Sequence, residues 1–111
     1  MTPNKVIESV DNRRPNSYSE EVKLGWISNL DGMVKKLVIQ EEDVKPYSYP
    51  EDMDKELLIP FPFDDLYSLY LESMIDFSNR EYGNYNNSAM MFEAQFTEYK
   101  KAYIREHKAK G

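Results

Sequence analysis

Cysteine is absent from this 111-residue chain. No disulfide framework, thiol nucleophile or thiolate metal site can therefore be built, and the composition suits a reducing compartment. Histidine occurs once, as His107 among lysines and arginines near the C-terminus. A general base needs an orienting partner in a closed site; the neighbours of His107 supply none, so it reads as a solvated tail residue. Long apolar runs are missing too. None approaches the ~20 residues that span a bilayer, and Met1–Asn12 lacks the apolar core of a secretory signal. Asn86-Asn87-Ser88 matches a glycosylation sequon but, without such a signal, reads as a helix start. The chain has no phosphate-cradling glycine loop, no Ser/His/Asp arrangement and no metal-ligand spacing. Asp52, Asp54 and Glu56 alternate like the start of a calcium loop, yet Leu57 and Phe63 stand where that loop needs Gly and Glu. Asp64-Asp65 is explained by the positive end of a helix dipole. The expectation is a protein with no catalytic residue, no cofactor, no metal and no membrane segment.

What the chain does have is charge segregation and aromatic rings. Its length suits one domain, 1–111, with a modest core. The net charge is −6. From Glu41 to Asp65 nine acids face two lysines, a net of −7, whereas Glu98–Gly111 carries five basic residues against two acids, a net of +3. An acidic middle and a basic tail suggest head-to-tail packing or a charged partner. The negative total opposes nucleic-acid binding.

Eleven of the fifteen aromatic residues lie between Phe61 and Tyr103. On Asp64–Tyr82, Leu66, Leu69, Tyr70, Met74 and Phe77 form one apolar face, and Tyr67, Leu71, Met74, Ile75 and Ser78 form an adjacent one. A helix apolar over so much of its girdle wants neighbours on more than one side. On Ser88–Glu106 the stripe is narrower: Ala89, Phe92, Phe96, Tyr99 and Tyr103. The break between them reads as Gly83-Asn84-Tyr85-Asn86-Asn87, with Gly83 closing the first helix through a positive φ and Asn87 or Ser88 capping the second. A short break favours an antiparallel hairpin over 64–106. One continuous helix is the alternative, against which Gly and three Asn in five positions count.

Upstream, Thr2-Pro3 opens a short helix with Val6, Ile7 and Val10 on its apolar side. Arg13-Arg14-Pro15 closes it. Ser17-Tyr18-Ser19-Glu20 fits a capping box, followed by a helix over 18–38 whose buried face reads as Val22, Trp26, Leu30, Met33, Val34 and Leu37. Trp26 is assigned as core anchor, with Gly25 beside it permitting close helix approach. Gly32 leaves two readings: the helix runs on, or Lys36–Gln40 is a short strand. Glu41–Pro60 reads as an extended, protruding acidic loop in which Leu57-Leu58-Ile59 lies against the helices. The expected architecture is all-α: about four helices, the 64–106 hairpin packed on helix 18–38. Candidate core or interface residues are Trp26, Leu30, Leu66, Tyr67, Tyr70, Leu71, Phe77, Phe92, Phe96 and Tyr99. Nine tyrosines serve either a core with hydroxyls reaching the surface or an association surface.

Pro62-Phe63-Asp64-Asp65-Leu66-Tyr67, Leu69-Tyr70-Leu71-Glu72, Ile75-Asp76-Phe77 and Glu81-Tyr82 followed by Tyr85-Asn86-Asn87-Ser88 resemble a small prophage protein of low-GC Gram-positive bacteria. Trp26-Ile27-Ser28-Asn29-Leu30 and Glu56-Leu57-Leu58-Ile59-Pro60 fit the same pattern. These proteins resemble the head–tail connector (adaptor, or neck) proteins of tailed bacteriophages. The resemblance covers about Val22 to His107 and is a pattern of aromatic and polar positions, not a catalytic signature. It implies a structural virion-assembly protein: a helical subunit of a ring homo-oligomer between the portal protein and the next neck or tail protein. DNA would be passing cargo only, and the location would be the bacterial cytoplasm during assembly and then the virion head–tail junction. The alternative from another class is a small helical regulator that binds protein or DNA through helix 18–38. A third reading is a metal-dependent enzyme using the Asp52–Glu56 acids.

Overall fold

Four α-helices form among the described residues, and most of their ends have a local cause. The computed structural model describes residues 1–108; Lys110 and the rest of the expected basic tail beyond residue 108 lie outside them. Helix α1 spans Pro3–Arg13. Thr2 Oγ1 accepts the Lys5 N–H at 3.3 Å and Pro3 sits in the first turn, where its missing N–H costs nothing. Helix α2 spans Glu20–Met33. Its cap is Ser19, whose hydroxyl accepts the Val22 N–H at 3.2 Å, not Ser17 as the capping-box spacing suggests. Ser19 places Glu20 and Glu21 together in the first turn, where the helix dipole favours both.

Gly32 does not end this helix. The chain continues into a π-helical segment, Val34–Ile39, and Lys36–Gln40 is not a strand. Closing the turn over five residues puts Ile39 on the same side as Val34, and Ile39 reaches the core there. Gln40 then terminates the run in the left-handed region, at φ 66° and ψ 42°, with its N–H bonded to the Lys35 carbonyl.

Helices α3, Asp65–Ser78, and α4, Tyr82–Lys108, make the expected hairpin, but its break lies earlier than the glycine suggests. Arg80, not Gly83, takes the positive φ, at 61°. The Arg80 N–H bonds to the Phe77 carbonyl and the Glu81 N–H to the Asp76 carbonyl, at 3.0 and 2.8 Å, which satisfies the last carbonyls of α3. Phe77 packs edge-on against Tyr82 and tilted against Tyr85, with ring centroids 5.9 and 5.1 Å apart, pinning the turn at this point. Gly83 through Asn87 become the first turns of α4.

Helix α3 is the axis of the fold: α1, α2 and α4 all pack against it. Its wide apolar girdle is occupied within the chain. Leu66, Tyr67, Leu71 and Ile75 are at most 1% exposed, with α1 and α2 on the sides that α4 leaves open. What α3 leaves open is the stripe of Asp65, Ser68, Leu69 and Glu72, which lines a groove with α1 and α4. The buried side of α2 is Leu24, Ile27, Leu30, Asp31 and Val34; Val22 and Leu37 are exposed. Two stripes of nearly equal quality run along this helix and share Leu30 and Val34, so periodicity could not rank them. Trp26 lies at the margin, edge-on to Tyr18 at 5.5 Å, and is no core anchor. Lys23 is buried and clasps α2 to α1 through Asp11, at 2.9 Å to both carboxylate oxygens.

The segment between Gln40 and Asp64 does not protrude. Met53, Leu57 and Ile59 are buried in the core. Its backbone is tied to the N-terminus by Asn4 N–H to the Met53 carbonyl and Leu57 N–H to the Met1 carbonyl, at 3.0 and 2.9 Å. Its expected polarity is right and its expected freedom is wrong, because three apolar side chains spaced through it are worth burying.

Gly25 is exposed, and a Cβ there would meet nothing within 4 Å, so the expected close approach beside Trp26 is absent. Gly25→Ala should therefore raise stability by about 0.5–1 kcal/mol. Gln40→Gly, which relieves a left-handed non-glycine residue, should gain a similar ~0.5–1 kcal/mol. Urea denaturation followed by circular dichroism measures both.

Candidate functional site

The ten candidate residues divide by depth. Leu30, Leu66, Tyr67 and Leu71 are wholly buried, and Phe92, Phe96 and Tyr99 line the inner side of α4. Tyr70 and Trp26 are half-buried at the edges, and Phe77 is 50% exposed beside the α3–α4 turn. Most of the set is core. Two other features carry polar chemistry or open surface.

The first is a buried carboxylate that the sequence reading passed over. Asp31 is 1% exposed. Tyr67 Oη donates to its Oδ1 at 2.5 Å, Tyr47 Oη to its Oδ2 at 2.5 Å, and the Leu58 N–H to Oδ2 at 3.3 Å. Tyr67 Oη in turn accepts the Ile59 N–H at 2.8 Å. Burial pushes the Asp31 carboxyl above the usual carboxylate range, against the opposing pull of its tyrosine and backbone donors and of Lys35. Burial and the adjacent carboxylate hold both tyrosines firmly protonated, as donors. With Tyr47, Leu58 and Tyr67 closed over it, the carboxylate has no face for a substrate; it ties α2, α3 and the 40–64 segment into one body. The signal was legible in one respect: Asp31 follows Leu30 on the Leu24–Ile27–Leu30–Val34 stripe, and a carboxylate on a buried face must find donors.

The acids that resemble a calcium loop do not converge. Asp52 Oδ2 accepts the Ser48 N–H at 2.7 Å, Asp54 Oδ1 accepts from Asn4 at 2.6 Å, and Glu56 pairs with the N-terminal ammonium at 2.7 Å. That ammonium holds the Glu56 carboxyl below its usual range. Among the described residues no three ligating side chains gather at one point. His107 stacks on Tyr103 with ring centroids 3.7 Å apart, exposed at the end of α4.

The second feature is surface. Phe61, between two prolines, is 85% exposed. Met90 and Met91 on α4 are 71% and 60% exposed, and Ile104 is 58% exposed. Between α1, α3 and α4 runs an open groove of about 880 Å³ with Leu69, Met91 and Ala94 among its apolar lining. Arg13 and Glu72 pair within it at 3.1 Å, and Asp65 and Glu98 stand on its rim. No helix is long and apolar enough to cross a membrane among the described residues. No family model, curated protein or solved structure matches the chain.

Tyr67→Phe removes one donor from Asp31 and strands the Ile59 N–H. It should cost about 3 kcal/mol at neutral pH. With fewer donors the folded Asp31 carboxyl rises further. A carboxyl raised above its unfolded value contributes stability at low pH that is lost as pH rises through the folded value. The deficit of the variant should therefore shrink as pH falls toward about 4. Paired urea titrations of both proteins across that range measure it.

Proposed function

We propose that this chain is a structural subunit that works by association, a ring component at the head–tail junction of a tailed bacteriophage. The observation that carries the reading is the surplus of exposed apolar side chains on a chain whose core is already complete. Phe61, Phe77, Met90, Met91 and Ile104 stand in solvent while more than a dozen other apolar residues are enclosed. Aromatic rings and methionine are residue types enriched in protein contact surfaces. The resemblance over Val22–His107 supports the specific setting. In that setting the portal protein and the next neck or tail protein are the partners, and the subunit moves from bacterial cytoplasm to virion.

Charge fits the same reading. The Glu41–Asp65 stretch is strongly acidic, so a ring wall carrying it would repel passing DNA instead of holding it. The 41–60 segment, although tied to the body, still presents exposed acids such as Glu41, Glu42 and Asp43 to a partner. A DNA-reading role for α2 is disfavoured by its first turn. Glu20 and Glu21 stand where a recognition helix presents residues to base edges.

Light scattering coupled to gel filtration tests the proposal, with the chain alone and mixed with the portal protein encoded nearest to it. The expected result is a defined multimer in the mixture, whether or not the free chain is monomeric. A chain that stays monomeric under both conditions overturns the reading.

A further inference from the structure

A smaller and more enclosed cavity, of about 210 Å³, lies where the 58–63 stretch meets the C-terminal part of α4. Four aromatic rings line it: Phe61 and Phe63 from the connecting segment, Tyr99 and Tyr103 from α4. They stand at angles to one another. Phe63 and Tyr99 meet at 54° and 5.6 Å, Tyr99 and Tyr103 at 62° and 6.4 Å, so the rings wall a space instead of forming one flat stack. The electrostatics of that space are negative. Glu106 is the one charged side chain among its described lining residues, with His107 counted as neutral, and no Lys or Arg stands among them. Leu58 also lines the cavity, and its N–H donates to Asp31 at 3.3 Å, so a second carboxylate lies just behind the wall. Burial, with Tyr103, Asp31 and Glu106 close by, pushes the Tyr99 hydroxyl up to about 12. Each ring adds a negative π face.

We propose that this cavity receives an arginine guanidinium from a partner protein, held among the four rings and paired with Glu106. A guanidinium is planar and weakly hydrated, and it stacks on aromatic rings while its N–H groups donate to a carboxylate. A lysine ammonium is compact and strongly hydrated, so it loses more water on entering such a space. The source is a protein and not a free small cation because the rim itself is adhesive. Phe61 lines the cavity yet is 85% exposed, and only a surface surrounding the arginine covers its outer side. An arginine seated in a pocket and ringed by contacts that exclude water is a common anchor of protein interfaces. This inference rests on the association reading above and names the contact chemistry that would carry it. Glu106 is exposed, so it chiefly orients the guanidinium, and the rings supply most of the hold.

The test has two arms. In the first, the whole chain is titrated at neutral pH with N-acetyl-arginine amide and, separately, with the citrulline analogue, which keeps the shape and lacks the charge. Two-dimensional NMR reads the amide signals. The arginine probe should shift those of Phe61, Phe63, Tyr99 and Tyr103, and the citrulline probe should leave them in place. Glu106→Gln should weaken the arginine probe about threefold, and Tyr103→Leu about fivefold or more. Circular dichroism checks folding; Glu106 is exposed, so its variant remains a test even if Tyr103→Leu unfolds. Equal response to both probes, or response to neither, overturns the inference. In the second arm, sedimentation velocity follows the chain mixed with the portal protein. The same variants should weaken that complex by similar factors, and the arginine probe should compete with it where the citrulline probe does not. If the wild type forms the complex and neither variant nor probe affects it, the cavity is not the contact and the association reading survives. If the arginine probe binds but the wild type joins no complex, the association reading and the protein source both fall, and the cavity is a site for a free cation.

Discussion

The contact on which the rest of the structure depends is the one between Asp31 and its donors. Helix α2, helix α3 and the long segment between them have no common hydrogen-bond ladder. Beside their apolar packing and a bond from the Tyr47 N–H to Ser28 Oγ of α2, one carboxylate joins all three, taking Tyr67 from α3 and Tyr47 and the Leu58 N–H from the connecting segment. Removing a carboxylate from water is expensive, and the expense is offset only when its lone pairs are filled with good geometry. Here three donors engage both oxygens, and a fourth bond, Ile59 N–H to Tyr67 Oη, satisfies the tyrosine as well. A network of this kind specifies one arrangement, since any slip in the connecting segment would strand a buried charge.

A second buried carboxylate shows the contrast. Asp76 is 0% exposed, yet neither of its oxygens has a hydrogen-bond partner of ordinary geometry among the described residues. Arg14 Nε lies 3.5 Å away and is likewise without one. Burial raises the Asp76 carboxyl, with Arg14 the main opposing influence. Asp31 is held by aimed donors and Asp76 by a loosely aimed cation. The first sits where three parts of the chain meet. The second sits at the far end of α3, beside the turn into α4, with Arg14 of the α1 end and Ser88 of α4 as its polar neighbours.

This division of labour bears on how the protein can act. The centre is rigid because α3 is enclosed by three helices and locked through Tyr67. The periphery is where unpaired apolar surface collects: Phe61 between its prolines, the methionines of α4 and Ile104.

The all-α class, the four helices, the first cap at Thr2 and the apolar stripe of α4 follow from periodicity and composition, which act over a few residues and can be read locally. So does the burial of Leu57 and Ile59 in an otherwise polar segment. The orientation of α2 could not be read in that way. Two stripes sharing Leu30 and Val34 were equivalent until α1 and α3 were present to choose between them, and the choice moved Trp26 to the rim. The hairpin turn fell at Arg80 and not at Gly83, because ring packing of Phe77 on Tyr82 and Tyr85 outweighed the conformational preference of a single glycine. The 40–64 segment lies flat, not outward, because donors for Asp31 and a place for Met53 exist only once the helices have assembled. Local preferences are written residue by residue; partners for a buried charge are supplied by chain segments 16 to 36 residues away, and only the folded chain brings them together.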